Sequence, residues 1–163
     1  MNAKVLKAVN DQIQAELESG YQYLALSLLA NDKSMPGTSQ WLRMQWQEET
    51  GHAMKLVEHV HSRGGSVQLK SITVQQPKWK SLMNTFESVL EHEMSITKLI
   101  NSLYELALSE KDYPLQILLQ WYINEQVEEE GSVNTILERL RMVGESGASL
   151  LLLDRQLGER TGG

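Results

Sequence analysis

Cysteine is absent from this 163-residue chain, which excludes disulfides, iron–sulfur clusters and thiolate zinc sites. Proline is scarce, with three in all, and most of the 11 glycines fall in apparent turns or near the C-terminal end. Little therefore interrupts long helices. No apolar run approaches the roughly 20 residues that span a bilayer. The first residues enter an amphipathic pattern directly, without the apolar core of a signal peptide. Together these absences predict a cytoplasmic protein with no membrane partner. Basic clusters are missing too: a net charge of −6 offers nothing to neutralise phosphates, so no nucleic-acid partner is expected. Internal repeats and low-complexity segments are not found.

What is present is an ordinary globular composition, 41% hydrophobic and 22% charged, of a length that suits a single domain over residues 1–163. Apolar residues recur at alternating spacings of three and four, the signature of one helix face. Four long helices follow: about 3–32; a second, capped by Thr38 or Ser39, to about 63; about 81–109; and one capped by Asp112, with Pro114 in its first turn, to about 143. A shorter fifth helix covers about 148–157, before a Gly-rich end that reads as frayed. The short first and third connections force antiparallel neighbours. The segment 66–80 is different, because its fifteen residues at roughly 3.3 Å each can reach about 50 Å. A helix of 27 residues is about 40 Å long, so this segment can run the length of the bundle and set the second and third helices parallel. The expected fold class is all-α, a four-helix bundle with one long crossover plus a short fifth helix.

Each long stripe carries a carboxylate where a hydrophobe belongs. Glu16 lies in register with Leu6, Val9, Ile13 and Tyr23. Glu49 lies with Leu42, Trp46, Ala53 and Leu56, and His52 follows one turn on. Glu93 fills the gap between Val89 and Ile96. Gln126 and Glu129 fill the one between Tyr122 and Val133. One unpaired buried carboxylate costs several kcal/mol, against a net domain stability of about 5–15 kcal/mol. Such groups must be protonated, face water, or surround positive charge. Two divalent cations would balance four carboxylates, and Glu49-Thr50-Gly51-His52 supplies the hard oxygen and imidazole that suit iron or manganese. The midpoints of four bundled helices lie at similar height, so these groups can converge.

On these residues the chain resembles the ferritins, and among them the bacterial non-haem ferritins, over essentially its whole length. Glu16, Glu93 and Glu49-x-x-His52 match the ferritin-like di-iron pattern, which pairs a Glu on each of two helices with Glu-x-x-His on the others. On the fourth helix Gln126-x-x-Glu129 stands in place of a second Glu-x-x-His, as in ferritins, within the run Leu119-Gln-Trp-Tyr-Ile-Asn-Glu-Gln-Val-Glu-Glu-Glu130. The resemblance implies iron storage with ferroxidase activity, oxidising Fe(II) with O₂ or H₂O₂ and storing Fe(III) as a mineral inside a 24-subunit homo-oligomeric shell. It implies Glu16, Glu49 and His52 around one iron, with Glu49 bridging to a second held by Glu93 and Glu129, and Gln126 nearby.

The flanking Glu48, Glu125 and Glu128 read either as a solvated acidic face or, by the resemblance, as a third iron site. Tyr23 and Trp121 read either as core aromatics with a polar tip or as the family's redox-active pair. His59, His61 and His92 read as surface or rim residues. The Leu150–Leu153 run is either bundle cap or, by the resemblance, packing around a fourfold axis. Two alternatives remain open. Haem-containing bacterioferritins carry Met directly after the bridging Glu, where this chain has Thr50, so no haem is expected. A di-iron, peroxide-detoxifying oxidoreductase would want the second Glu-x-x-His.

Overall fold

The computed structural model describes residues 1–144 and 147–160. The expected frayed Gly-rich end at 161–163 lies outside them. Among the described residues there are five helices: α1 (Ala3–Asp32), α2 (Pro36–Ser62), α3 (Leu82–Ser109), α4 (Tyr113–Val143) and α5 (Gly147–Gly158). No described helix is long and apolar enough to cross a membrane.

Three of the four long helices begin at side-chain caps. Asn2, Ser81 and Asp112 accept hydrogen bonds from the N–H groups of Val5, Asn84 and Leu115 respectively, satisfying donors that the first turn leaves free. Helix α4 stops at Gly144, whose φ of 72° lies in the left-handed region that glycine reaches without strain. Arg63 beyond α2 holds Asp112 at 2.6 Å, tying the end of one helix to the start of another.

Helix α2 departs from expectation. It starts at Pro36, with Met35 preceding it and offering no side-chain cap, and Thr38 and Ser39 are buried inside the first turn. The capping group comes instead from α5. Asp154 accepts from the N–H of Gly37 at 3.0 Å, and from the N–H and hydroxyl of Thr38, each at 2.7 Å. A distant carboxylate thus does what a local Ser or Thr was expected to do. The approach is so close that a Cβ on Gly37 would lie 1.7 Å from the carbonyl oxygen of Asp154, so only glycine fits there.

The crossover follows α1. Asn10 bonds Ser66 and Gln68, Gln14 bonds Ser71, and Gln22 bonds Gln75. Because both sets of numbers rise together, the segment runs in the direction of α1 and delivers the chain to α3 parallel to α2. This is the all-α, four-helix arrangement with one long crossover and a fifth helix that the periodicity predicted.

The interior is divided. One apolar cluster, including Trp41, Leu42, Phe86, Leu137 and Leu153, fills the end near α5. A second, including Val5, Ile13, Leu56, Ile100 and Leu119, fills the other end. Between them lies a layer of buried polar groups: Gln12, Glu16, Ser19, Gln45, Glu49, His52, Glu93, Gln126 and Glu129.

Candidate metal centre

Each of the four long helices contributes its mid-length carboxylate to this layer, and Glu16, Glu49, Glu93 and Glu129 are all at most 5% exposed. Two groups of potential ligands converge, each with one atom per residue inside a 4.8 Å span: Glu16, Glu49 and His52, and His52, Glu125 and Glu129. The imidazole Nδ1 lies 3.1 Å from Glu49 Oε2. Glu93 falls in neither group. One of its carboxylate oxygens accepts from the Tyr23 hydroxyl, and the other accepts from Gln126 Nε2 at 3.1 Å.

The electrostatics of the layer favour neutral carboxyls or bound positive charge. Burial, followed by the charge of Glu49, pushes the Glu16 carboxyl well above its usual range. Burial and then Glu93 do the same to Glu49. Glu129 is raised to about 7, again by burial first and Glu93 second, against the lowering effect of its bond from Gln45. Tyr23 is likewise driven far upward by burial and by Glu93, so its phenol stays neutral. A decisive detail is Glu16 Oε2, a buried carboxylate oxygen with no hydrogen-bond partner. Buried polar atoms are paired almost without exception, and a hard divalent cation beside Glu49 and His52 would supply the missing partner.

Several sequence expectations need refinement. Gln126 is buried and turns its amide nitrogen toward the Glu93 carboxylate (3.1 Å) and the Glu93 carbonyl (3.2 Å). Glu48, Glu125 and Glu128 do not form one converging group. Glu125 joins His52 and Glu129, Glu48 pairs with Arg160 at 2.7 Å, and Glu128 is exposed. His92 is half-buried on the wall of a cleft, sits edge-on to Tyr23 at 6.2 Å, and bonds Ser19 at 2.8 Å. Because the one Ser19 proton goes to Glu49 at 2.9 Å, it is His92 Nε2–H that donates to Ser19. His59 is half-buried beside Arg63, and His61 is exposed. Trp121 lies edge-on to His52 at 5.3 Å, with the Lys55 ammonium 4.0 Å from its ring centroid.

Sequence reasoning missed a supporting shell of neutral donors. Gln12 donates to Glu16 at 2.9 Å, Ser19 to Glu49, and Gln45 to Glu129 at 2.7 Å. The Tyr122 hydroxyl donates to the His52 carbonyl at 2.6 Å. Gln12 and Gln45 stand four residues before Glu16 and Glu49, and Ser19 three after Glu16, so helical spacing did carry their signal. A cleft of about 540 Å³ between α1, the crossover and α3 is lined by Tyr23, His92, Gln22, Gln75 and Lys78 among others, and brings the outside to within one side chain of Glu93.

A helix pair joined by a long crossover to a second pair, with carboxylates at mid-height on all four, defines the ferritin-like class. The ferritin-like domain family matches residues 6–143, and the chain belongs to the ferritin family. It is 34% identical over 160 residues to the bacterial non-heme ferritin of Bacteroides fragilis (strain 638R), covering 98% of this chain and 99% of the relative. It is 35% identical to that of Campylobacter jejuni, covering 96% and 94%. Among solved structures it is similar to a closed form of the Archaeoglobus fulgidus ferritin engineered by mutagenesis, with a TM-score of 0.97, 44% identity and coverage of 100% and 99%. The open-pore ferritin of the same archaeon gives a TM-score of 0.96 at 43% identity, covering 99% of this chain and 98% of that one.

Proposed function

We propose that this protein, as one domain, stores iron by oxidising Fe(II) at the mid-bundle centre. The observation that carries the reading is the buried carboxylate layer with an orphaned Glu16 oxygen, which a pair of divalent cations would neutralise. Glu16, Glu49 and His52 hold the first iron, and Glu49 bridges to a second held by Glu93 and Glu129. The first ion gains an imidazole, whereas the second has carboxylates only, so the second binds more loosely and leaves more readily. Iron is substrate and cargo here: carboxylates favour Fe(III) over Fe(II), O₂ or H₂O₂ takes the electrons, and the product hydrolyses to a mineral with release of protons.

The protein's own groups set the geometry. Gln12, Ser19 and Gln45 hold the carboxylates by neutral donors, and Tyr23 fixes Glu93 while staying protonated. Gln126 orients Glu93 from the opposite side. Glu125 stands close enough to His52 and Glu129 to receive an ion leaving the second position. The apolar α5 leaves Leu151 and Leu152 exposed at 63% and 57%, a face suited to contact with other copies in a 24-subunit shell of a cytoplasmic protein.

Stopped-flow absorbance after mixing Fe(II) with aerobic protein tests the centre. Glu16→Ala and Glu49→Ala are expected to slow the fast phase at least about 100-fold, the upper end of what loss of even an outer-shell partner does to a metal site. Wild-type kinetics in both variants would defeat the assignment. Electron microscopy of iron-loaded protein tests the shell, since a mineral-free monomer would reject storage.

A further inference from the structure

One cationic side chain from outside the bundle reaches the centre's supporting shell. Arg160, just past α5, lays its guanidinium over the Trp41 ring at 4.9 Å. One of its nitrogens donates to Glu48 Oε2 at 2.7 Å, and another donates to the side-chain oxygen of Gln45. Gln45 is completely buried, and its Nε2 donates to Glu129 Oε2 at 2.7 Å. A side-chain amide has one accepting end and one donating end. Once Arg160 claims the oxygen, the nitrogen must face Glu129. Without that claim the amide could present its oxygen to the carboxylate, leaving a buried like-charged contact in place of a hydrogen bond. The same guanidinium fork engages Glu48, which helps hold it over Gln45. A planar fork can bond a carboxylate and an amide while stacking on an indole, which a point-charge ammonium does less well.

We propose that Arg160 is a positioning residue for the metal centre: acting through Gln45, it fixes the direction of the hydrogen bond that aims Glu129. The inference rests on Glu129 being a ligand of the second, looser ion. It makes the segment after α5 part of the site, although it lies 31 residues beyond Glu129 in sequence.

Anaerobic titration of the assembled, metal-free protein with Co(II), followed by its visible absorption, reads ligand geometry without turnover. Arg160→Gln is expected to weaken the looser class of Co(II) sites about tenfold, the scale of an outer-shell loss, and to leave the tighter class unchanged. Arg160→Lys should recover part of that loss. In a Gln45→Leu background, Arg160→Gln should have no further effect. Glu129→Gln serves as the reference. If it weakens the looser class while Arg160→Gln does not, the positioning role is refuted and the ligand assignment stands. If Glu129→Gln changes nothing, the ligand assignment itself falls. An Arg160→Gln effect that persists undiminished without Gln45 would assign the residue a direct charge effect and overturn the relay.

Discussion

The two apolar clusters and the acidic layer between them share the same four helices and the same near-complete burial, yet they act on stability in opposite directions. Phe86, Leu42, Leu56 and Leu119 are each fully buried and gain roughly 1.5–3 kcal/mol apiece on leaving water. Glu16, Glu49 and Glu129 are buried as deeply, and every one has its carboxyl held above the ordinary range, which means the folded state penalises their charged form. The helices are therefore clamped at both ends and strained at mid-length. A fold arranged this way is preorganised for cations, because the clusters prevent the carboxylates from moving apart to relieve their repulsion.

The contrast breaks most visibly if the clamp is cut. Phe86→Ala removes the ring that sits edge-on to Trp41 at 5.3 Å and is expected to cost about 3–5 kcal/mol, measured by urea unfolding. A loss under about 1 kcal/mol would mean the cluster near α5 does not clamp the layer.

Next in size is the pH dependence of the metal-free protein. Glu129 has a folded pKa of about 7 against an ordinary 4.5. The native state thus keeps a proton that the unfolded chain has released, and the Glu129 contribution to stability is lost as pH rises from about 4.5 to about 7, while Glu16 and Glu49, also raised by burial, add losses of the same sign. The Glu129 shift corresponds to about 3 kcal/mol. His59 and His92, both held below 6.5 chiefly by burial, contribute the opposite slope beneath pH 6.5. The diagnostic is therefore the difference between wild type and Glu129→Gln, which should move by about 3 kcal/mol in favour of the variant across that window. A difference that stays flat with pH would show that the layer is not strained at Glu129.

The smallest effect concerns the tie between α5 and the bundle. Asp154→Ala removes three bonds at the start of α2 and is expected to cost about 1–2 kcal/mol, the scale of a lost N-cap. Differential scanning calorimetry checks it, and an unchanged melting temperature would mean that solvent replaces the cap.

Much of this was legible before any coordinates. A period of three and four set the four long helices. The length of the 66–80 segment set the parallel step. Carboxylates in register with Ile13, Ala53, Val89 and Val133 announced the centre, because a charge on a buried face demands a cause. Position along one helix was readable, but partners across helices were not. Nothing in the spacing of His92 told that it would reach Ser19, or that Gln126 would turn its nitrogen to Glu93. Thr38 looked like a cap because Thr caps helices locally, and the competing group, Asp154, stands 116 residues away.

By itself, the sequence determined which residues share a helix face, and so the bundle, its crossover and the set of acidic side chains that must meet inside it. Periodicity is a local property, repeated every turn, and local order is enough to write it. Only the tertiary structure decided which oxygen of Glu16 is left unpaired, which carboxylate Arg160 takes, and which helix end Asp154 completes. Those choices depend on distances between segments far apart in the chain, and on a competition among donors and acceptors that is settled only when the helices pack.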